Sequence, residues 1–260
     1  MKKNNFLKKI NNSSKQKTKP LVVFIPGAGC DHTLWAYQNR YFANKGFSTL
    51  SITLPGHGKN KDKPLDTIES MGMHIIKSLK KTSHNKFILI SHSMGTLISI
   101  YIASKKSINL SKMILIGAAL PMKVSSYLLD LSKKDQTSAI NNMINWSLPE
   151  NVSLYGSQLI GMRLQHYLFR VMLETKKGVL FKDLNACNTF NLREDSLKCI
   201  NTPTHFITGD EDIMTPASNA IKLSKLLPIS EVSIIKNCGH FHIFENPNKV
   251  RSIISKFIGV

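Results

Sequence analysis

The chain reads as an α/β protein with a mostly parallel central sheet of about six strands flanked by helices. Three observations predict this class. From residue 21 onward, short apolar runs alternate with helical patterns, the signature of a parallel sheet covered by helices. Several of these runs are apolar at consecutive positions, as strands buried on both faces require. The length of 260 residues and an apolar content of 42% suit one large domain with a sizeable core, which excludes a chain disordered throughout.

The candidate strands, in order, are residues 21–25, 49–52, 87–90, 113–116, 205–208 and 232–235. After Ser93, residues Leu97, Ile98, Tyr101 and Ile102 recur at helical spacing and lay one face on the sheet. Near the end, Asn246 followed by Pro247 is a cap and a first-turn proline. They open a helix whose apolar face is Val250, Ile253, Ile254 and Phe257. No internal repeat is evident.

One connection is far too long. More than 80 residues separate Ile116 from Thr204, whereas a complete βαβ unit takes about 30 or more. The surplus reads as an insertion with helices near 123–133, 135–147 and 157–175. It follows the C-terminal end of a strand, so it should sit over the sheet edge where open α/β folds place their ligands. The expected organisation is a basic tail (1–19), a core in two parts (20–121 and 200–260) and an inserted helical cap (122–199).

The formal charge is +19, from 35 Lys+Arg against 16 Asp+Glu. Seven lysines and no acid fall in residues 1–20, a stretch that reads as a flexible tail. Lysine and asparagine are abundant from end to end, however, and the lysines are neither striped nor interleaved with aromatics. The charge therefore reads as a compositional bias, with no specific nucleic-acid partner and only a weak, non-specific attraction to anionic surfaces. No run approaches the roughly 20 apolar residues of a membrane span, and residues 1–20 lack the apolar stretch of a secretory signal. A cytoplasmic location is expected. Cys30, Cys187, Cys199 and Cys238 lie far apart without a CxxC pair, and read as reduced thiols rather than a disulfide framework or metal site. Nothing in the sequence specifies an oligomeric state.

The chemistry centres on Ile88-Leu89-Ile90-Ser91-His92-Ser93-Met94-Gly95, an apolar strand running into Ser-x-Ser-x-Gly and then a helix. This is the context of a nucleophile elbow, a cramped strand-to-helix turn that projects a serine hydroxyl from the sheet. Ser91 stands where the first glycine is more usual. An ordinary helix N-cap would also place a serine at position 93. The partners decide between the two, because a serine hydroxyl needs a base oriented by a carboxylate. Downstream, Gly209-Asp210-Glu211-Asp212 follows one strand, and Asn237-Cys238-Gly239-His240 follows the last. All three pieces sit at strand C-termini, where they can converge.

With these motifs in view, the chain resembles the α/β-hydrolases, in particular the bacterial hydrolase/acyltransferase branch with a helical cap. Pro26-Gly27-Ala28-Gly29 resembles the family's HGxG oxyanion loop, and Asp31-His32-Thr33-Leu34-Trp35 the stretch after it. Leu54-Pro55-Gly56-His57-Gly58 resembles the D-x-P-G-H-G turn, and Asp183-Leu184-Asn185-Ala186-Cys187 a segment where such caps rejoin the core. The resemblance implies Ser93 as nucleophile, His240 as general base and Asp212 as orienting acid, because the family's acid lies three residues after the glycine, here Gly209. Asp210 and Glu211 remain alternatives to the acid, and His242 to the base. The resemblance also implies the backbone N–H groups of Ala28 and Met94 as oxyanion donors, with no cofactor and no metal. Proline at position 26 departs from the family's histidine, so any loop-stiffening bonds from that imidazole are absent, and proline's fixed φ is a candidate replacement.

His92 reads as pocket wall, His57 as a turn residue, and His32 as packed beneath the oxyanion loop. Cys30, Cys187 and Cys238 read as small buried hydrophobes. The insertion carries Met122, Met143, Met162 and Met172 with Tyr127, Trp146, Tyr155, Tyr167, Phe169, Phe181 and Phe190. Such side chains over a catalytic serine suit an apolar acyl or aryl ester of small to medium size. The expected activity is a serine hydrolase of carboxylic esters or related acyl compounds. Acyltransfer, lactone opening, C–C hydrolysis and non-catalytic ligand binding are the alternatives on the same fold.

Overall fold

The computed structural model describes residues 19–150 and 163–260. Nearly all of the expected tail, residues 157–162 of the third inserted helix pattern, and Tyr155 and Met162 lie outside the described residues. The strands are β1 (Leu21–Ile25), β2 (Thr49–Ser51), β3 (Phe87–His92), β4 (Leu110–Ile116), β5 (Thr204–Gly209) and β6 (Ser230–Ile235). Among the described residues they form one six-stranded sheet in the order β2-β1-β3-β4-β5-β6, and every neighbouring pair is parallel.

Burial follows position in the sheet. β1 and β3 are buried at every residue, in keeping with a sequence that is apolar throughout β1 and from Phe87 to Ile90 in β3. β6 forms one edge and alternates Glu231 and Ser233 with apolar residues, most of them partly solvated. Around the sheet lie α1 (Ala36–Asn44), α2 (Ile68–Leu79), α3 (Met94–Ser104), α4 (Ser126–Lys134), α5 (Gln136–Ser147), α6 (Leu164–Leu173), α7 (Val179–Thr189), α8 (Glu194–Lys198), α9 (Ala217–Ser224), α10 (His242–Glu245) and α11 (Pro247–Ile258). None of the described helices is long and apolar enough to cross a membrane.

α3 is buried from Met94 to Ala103, because it packs on β1, β3 and β4 on one side and against α2 and α7 on others. Each of its large apolar side chains contributes about 1.5–3 kcal/mol by leaving water. The close approach of α2 depends on Gly72, where a Cβ would stand 2.4 Å from Tyr101 Cδ1. α11 forms as its sequence indicates: Asn246 Oδ1 accepts the Lys249 N–H, Pro247 occupies the first turn, and Val250 and Ile254 face the core. Gly259 ends the helix in the left-handed region, which glycine adopts without a Cβ penalty.

Between β4 and β5 the chain forms α4 to α8. α4 and α5 match two of the expected inserted helices, and α6 lies within the third. α7 and α8 were not expected. α7 interrupts its apolar positions with Lys182, Asp183, Asn185 and Asn188, and α8 has only five residues.

The strand order fixes where a site can form. From β1 the chain moves outward to β2 and then returns past β1 to β3, after which β4, β5 and β6 follow on the other side. The loops leaving β1 and β3 therefore diverge at a topological switch point, where doubly wound sheets open a crevice.

Candidate active site

Ser93 occupies that switch point. β3 ends at His92, α3 begins at Met94, and Ser93 between them has φ 51° and ψ −122°. Positive φ is uncommon outside glycine, and such a conformation costs on the order of 1–3 kcal/mol that the surroundings must impose. They do so through backbone bonds: Ser93 N–H donates to Ile116 O at 2.9 Å, and Thr96 N–H donates to Ser93 O at 2.8 Å. The turn needs small neighbours. A Cβ at Gly27 would lie 3.1 Å from Ser93 Cβ, and one at Gly95 only 2.6 Å from Ile25 O. Ser91 fits in place of a glycine because its buried hydroxyl donates across the sheet to Ile114 O at 3.3 Å. The Ser93 side chain makes no capping bond to α3, so the simple N-cap reading does not describe it.

The acid and the histidine meet. His240 Nδ1 lies 2.9 Å from Asp212 Oδ2, and the backbone N–H of His240 donates to Ser147 O at 2.7 Å. Asp212 is fully furnished with donors. Its Oδ1 accepts the N–H groups of Met214 (2.9 Å) and Thr215 (2.8 Å), and its Oδ2 accepts the Thr215 hydroxyl at 2.8 Å. Burial alone would raise its pKa. The charge and hydrogen bond of His240, the charge of His242 and the Thr215 amide instead hold the carboxyl well below the usual carboxylate range. Asp210 is exposed and pairs with Lys236 at 3.3 Å, and Glu211 is exposed. Of the three acids, Asp212 is the one bonded to the histidine.

Ser93 and His240 flank one point of β4. Ile116 receives the Ser93 N–H, and the next residue, Gly117, faces the imidazole: a Cβ there would stand 3.1 Å from His240 Cε1 and 3.2 Å from Nδ1. His242 is less well placed. Its Nε2 is 3.7 Å from Asp212 Oδ2, neither ring nitrogen has a hydrogen-bond partner among the described residues, and burial pushes its pKa down to about 4. His92 Nε2 donates to His240 O at 2.8 Å, with the two ring centroids 4.8 Å apart. Burial first, and then His240, hold His92 neutral.

The expected oxyanion donors come from the residue after the serine and from the turn whose Gly27 approaches it, where a Cβ would lie 3.1 Å from Ser93 Cβ. Met94 opens α3, so its N–H has no partner four residues back. The Gly27 carbonyl accepts the Cys30 N–H at 3.2 Å, and in a trans peptide this turns the Ala28 N–H the opposite way. Both are backbone N–H groups at turns, the kind of donor that can stabilise developing negative charge.

Two expectations change. His32 does not pack beneath the oxyanion loop: it is exposed, and its Nδ1 lies 2.8 Å from Thr53 Oγ1. His57 is more than a turn residue. It is buried, and its Nε2 lies 2.7 Å from Asp183 Oδ2 on α7. A signal for this pair existed in the sequence, because Asp183 interrupts the apolar spacing Leu180, Leu184, Cys187, and a lone acid on a buried face requires a partner. Burial raises the thiol pKa values of Cys30, Cys187 and Cys238 above the ordinary range, as small buried hydrophobes require. Among the described residues, no group of three or more His, Cys, Asp or Glu is arranged to hold a metal ion.

The chain is 25% identical over 245 residues to the AB hydrolase superfamily protein YisY of Bacillus subtilis, covering 91% of this chain and 90% of that one. It is 23% identical over 256 residues to the monoacylglycerol lipase ABHD6 of Mus musculus, covering 92% and 76%. An esterase structure from Exiguobacterium antarcticum superposes with a TM-score of 0.81 at 19% identity, covering 93% and 92%. Residues 20–247 match the family described as the alpha/beta hydrolase fold. With that match spanning the sheet, the serine turn and the histidine loop, the chain belongs to the alpha/beta hydrolase fold family.

Proposed function

We propose that the protein is a serine hydrolase that cleaves carboxylic esters through a covalent acyl-enzyme, with Ser93 as nucleophile, His240 as general base and Asp212 as orienting acid. One observation carries the reading: a strained serine without a capping bond at the switch point and a buried histidine already bonded to a buried carboxylate are anchored at successive residues of one strand end, Ile116 and Gly117. Lipase and esterase names among the similar proteins favour an ester over other acyl compounds. The helices between β4 and β5 act as a cap over the site, and the substrate is a small to medium ester with an uncharged, apolar acyl or aryl side. The loose thiols and the absence of a membrane-spanning helix among the described residues fit a cytoplasmic setting.

The steps follow from the geometry. Asp212 accepts from His240 Nδ1–H and fixes the tautomer that leaves Nε2 free to accept a proton. Ser93 Oγ attacks the carbonyl carbon as its proton passes to His240 Nε2. The carbonyl oxygen becomes an oxyanion and accepts from the N–H groups of Ala28 and Met94. The intermediate collapses, the ester C–O bond breaks, and His240 protonates the departing alcohol. Water, deprotonated by His240, then releases the acid and restores Ser93. Asp212 remains ionised throughout, consistent with its depressed pKa.

The test is turnover of a p-nitrophenyl ester chain-length series by the wild-type chain and Ser93→Ala. The expected result is Ser93-dependent hydrolysis that peaks at short to medium chains. A folded wild-type chain whose turnover equals that of Ser93→Ala across the series would overturn the assignment.

A further inference from the structure

The oxyanion turn is held from outside the core. Asp183, on α7, is wholly buried, and its Oδ2 accepts both the Gly29 N–H at 2.8 Å and His57 Nε2 at 2.7 Å. From the same inserted segment, Thr175 Oγ1 donates to Gly29 O at 2.8 Å. Both polar groups of Gly29 are therefore bonded to side chains lying between β4 and β5. Gly29 has φ +68° and is the third residue of the turn closed by Cys30 N–H and Gly27 O, the arrangement of a type II turn. Ala28, the expected oxyanion donor, is its second residue. Nearby, Lys176 N–H donates to Gly56 O at 2.9 Å and the Tyr167 hydroxyl to Thr33 O at 2.9 Å, so the insertion is seated along the loops that follow β1 and β2.

The His57 ring sits between two acceptors. Nε2 faces the Asp183 carboxylate and Nδ1 faces the Pro55 carbonyl at 3.2 Å. A carboxylate and a carbonyl only accept, so satisfying both requires both ring nitrogens to donate, which makes His57 an imidazolium. The ionisable groups facing this pair are Asp31, Cys30 and Cys187. Burial raises the pKa of the two thiols; at His57 burial disfavours the charged ring, but the charge and hydrogen bond of Asp183 and the Pro55 carbonyl outweigh it and raise its pKa. Removing one member of such a buried pair leaves the other charge uncompensated, a far larger penalty than losing a surface ion pair.

We propose that Asp183 is a positioning residue: its ion pair with His57 latches the inserted helices onto the core and, through the Gly29 amide, holds the oxyanion turn in its working shape. The proposal rests on the ester-hydrolase reading, in which Ala28 N–H meets the developing oxyanion. A latch of this kind makes the hole competent only while α7 is seated. Its loss should lower kcat more than it raises KM, because the oxyanion forms only in the transition state.

The test compares the full-length wild-type chain with Asp183→Ala, Asp183→Asn and His57→Gln. It measures kcat and KM on p-nitrophenyl butyrate and amide hydrogen exchange across residues 27–30. Asp183→Ala should lower kcat about 10- to 100-fold with KM within about threefold, and should speed exchange at Gly29. Asp183→Asn, which keeps an acceptor for the Gly29 N–H but loses the charge that pairs with His57, should fall between wild type and Asp183→Ala in both. A folded Asp183→Ala with wild-type exchange across 27–30, or with faster exchange and unchanged kcat, overturns the proposal. If Asp183→Ala does not fold, His57→Gln carries the same test: faster exchange at 27–30 supports the latch, and unchanged exchange overturns it. Absence of Ser93-dependent turnover in the wild type would refute the hydrolase reading instead, while the exchange comparison still decides whether the latch exists.

Discussion

Asp212 Oδ2 lies 2.9 Å from His240 Nδ1, close enough for a charge-assisted hydrogen bond, whereas His242 Nε2 is 3.7 Å away. The two histidines are two residues apart, yet only one has the acid as a bonded partner. His240→Asn should therefore lower kcat/KM by at least about 10³-fold, and His242→Asn by less than about tenfold. Steady-state kinetics on one ester distinguishes them, and equal losses would remove the special role of His240.

Gly117 supports the same imidazole from the end of β4. Its φ is +64°, and an added Cβ would press on His240 Cε1, His240 Nδ1 and Thr215 Oγ1 at 3.1–3.2 Å. Gly117→Ala should displace the ring and lower kcat about 10²-fold while the protein stays folded, since misplacement of about 1 Å at a catalytic group has an effect of that size. Circular dichroism alongside kinetics checks it. Full activity in Gly117→Ala would show that the ring position is not critical.

The strain at Ser93 predicts a trade between stability and turnover. Glycine adopts positive φ without a Cβ penalty, whereas alanine keeps that penalty. Ser93→Gly should be more stable than Ser93→Ala by about 1 kcal/mol, or roughly 2–4 °C in Tm for a chain of this size. Neither variant should turn over substrate. Thermal melts of the two proteins measure the difference, and identical Tm values would argue that the turn is unstrained.

Glu245 gives the prediction in pH. It is buried beneath the His240 loop and accepts the Gly239 N–H at 2.6 Å. Burial raises its pKa to about 7, against the lowering effect of the Gly239 and Phe241 backbone. The folded state therefore holds a proton that the unfolded chain has already released, so stability falls as pH rises from the unfolded value near 4.3 to about 7 and then levels off. Glu245→Gln keeps an acceptor for Gly239 but removes this titration. Its Tm relative to wild type should rise between pH 5 and pH 8, by the equivalent of about 1–3 kcal/mol. A difference independent of pH would mean that Glu245 does not titrate in this range.

Much of this molecule is legible in its sequence because the features involved are local. Apolar runs of five and four residues form β1 and the first part of β3, a capping asparagine and a proline begin α11, and Ser-x-Ser-x-Gly stands between a strand and a helix. Asp212 was distinguished from Asp210 and Glu211 only by its offset from Gly209. In the structure the distinction is physical, since Asp212 turns inward onto two backbone amides and a threonine hydroxyl. The less legible features join distant segments. His57 and Asp183 stand 126 residues apart, so the local pattern at Asp183 calls for a buried partner without saying which residue it is. α7 was obscured for the same reason, because its buried acid breaks the apolar stripe that would have announced the helix. The polar alternation of β6 reflects its place at the sheet edge, which depends on the order of the whole sheet.

Active-site labelling with a fluorophosphonate, read by mass spectrometry of the modified peptide, tests the central claim most directly. The account predicts a single adduct on Ser93, formed rapidly in the wild type, absent in Ser93→Ala and slowed by at least about 10²-fold in His240→Asn. A folded wild-type chain that resists the probe, or that is labelled at another serine at the same rate in all three proteins, would contradict it.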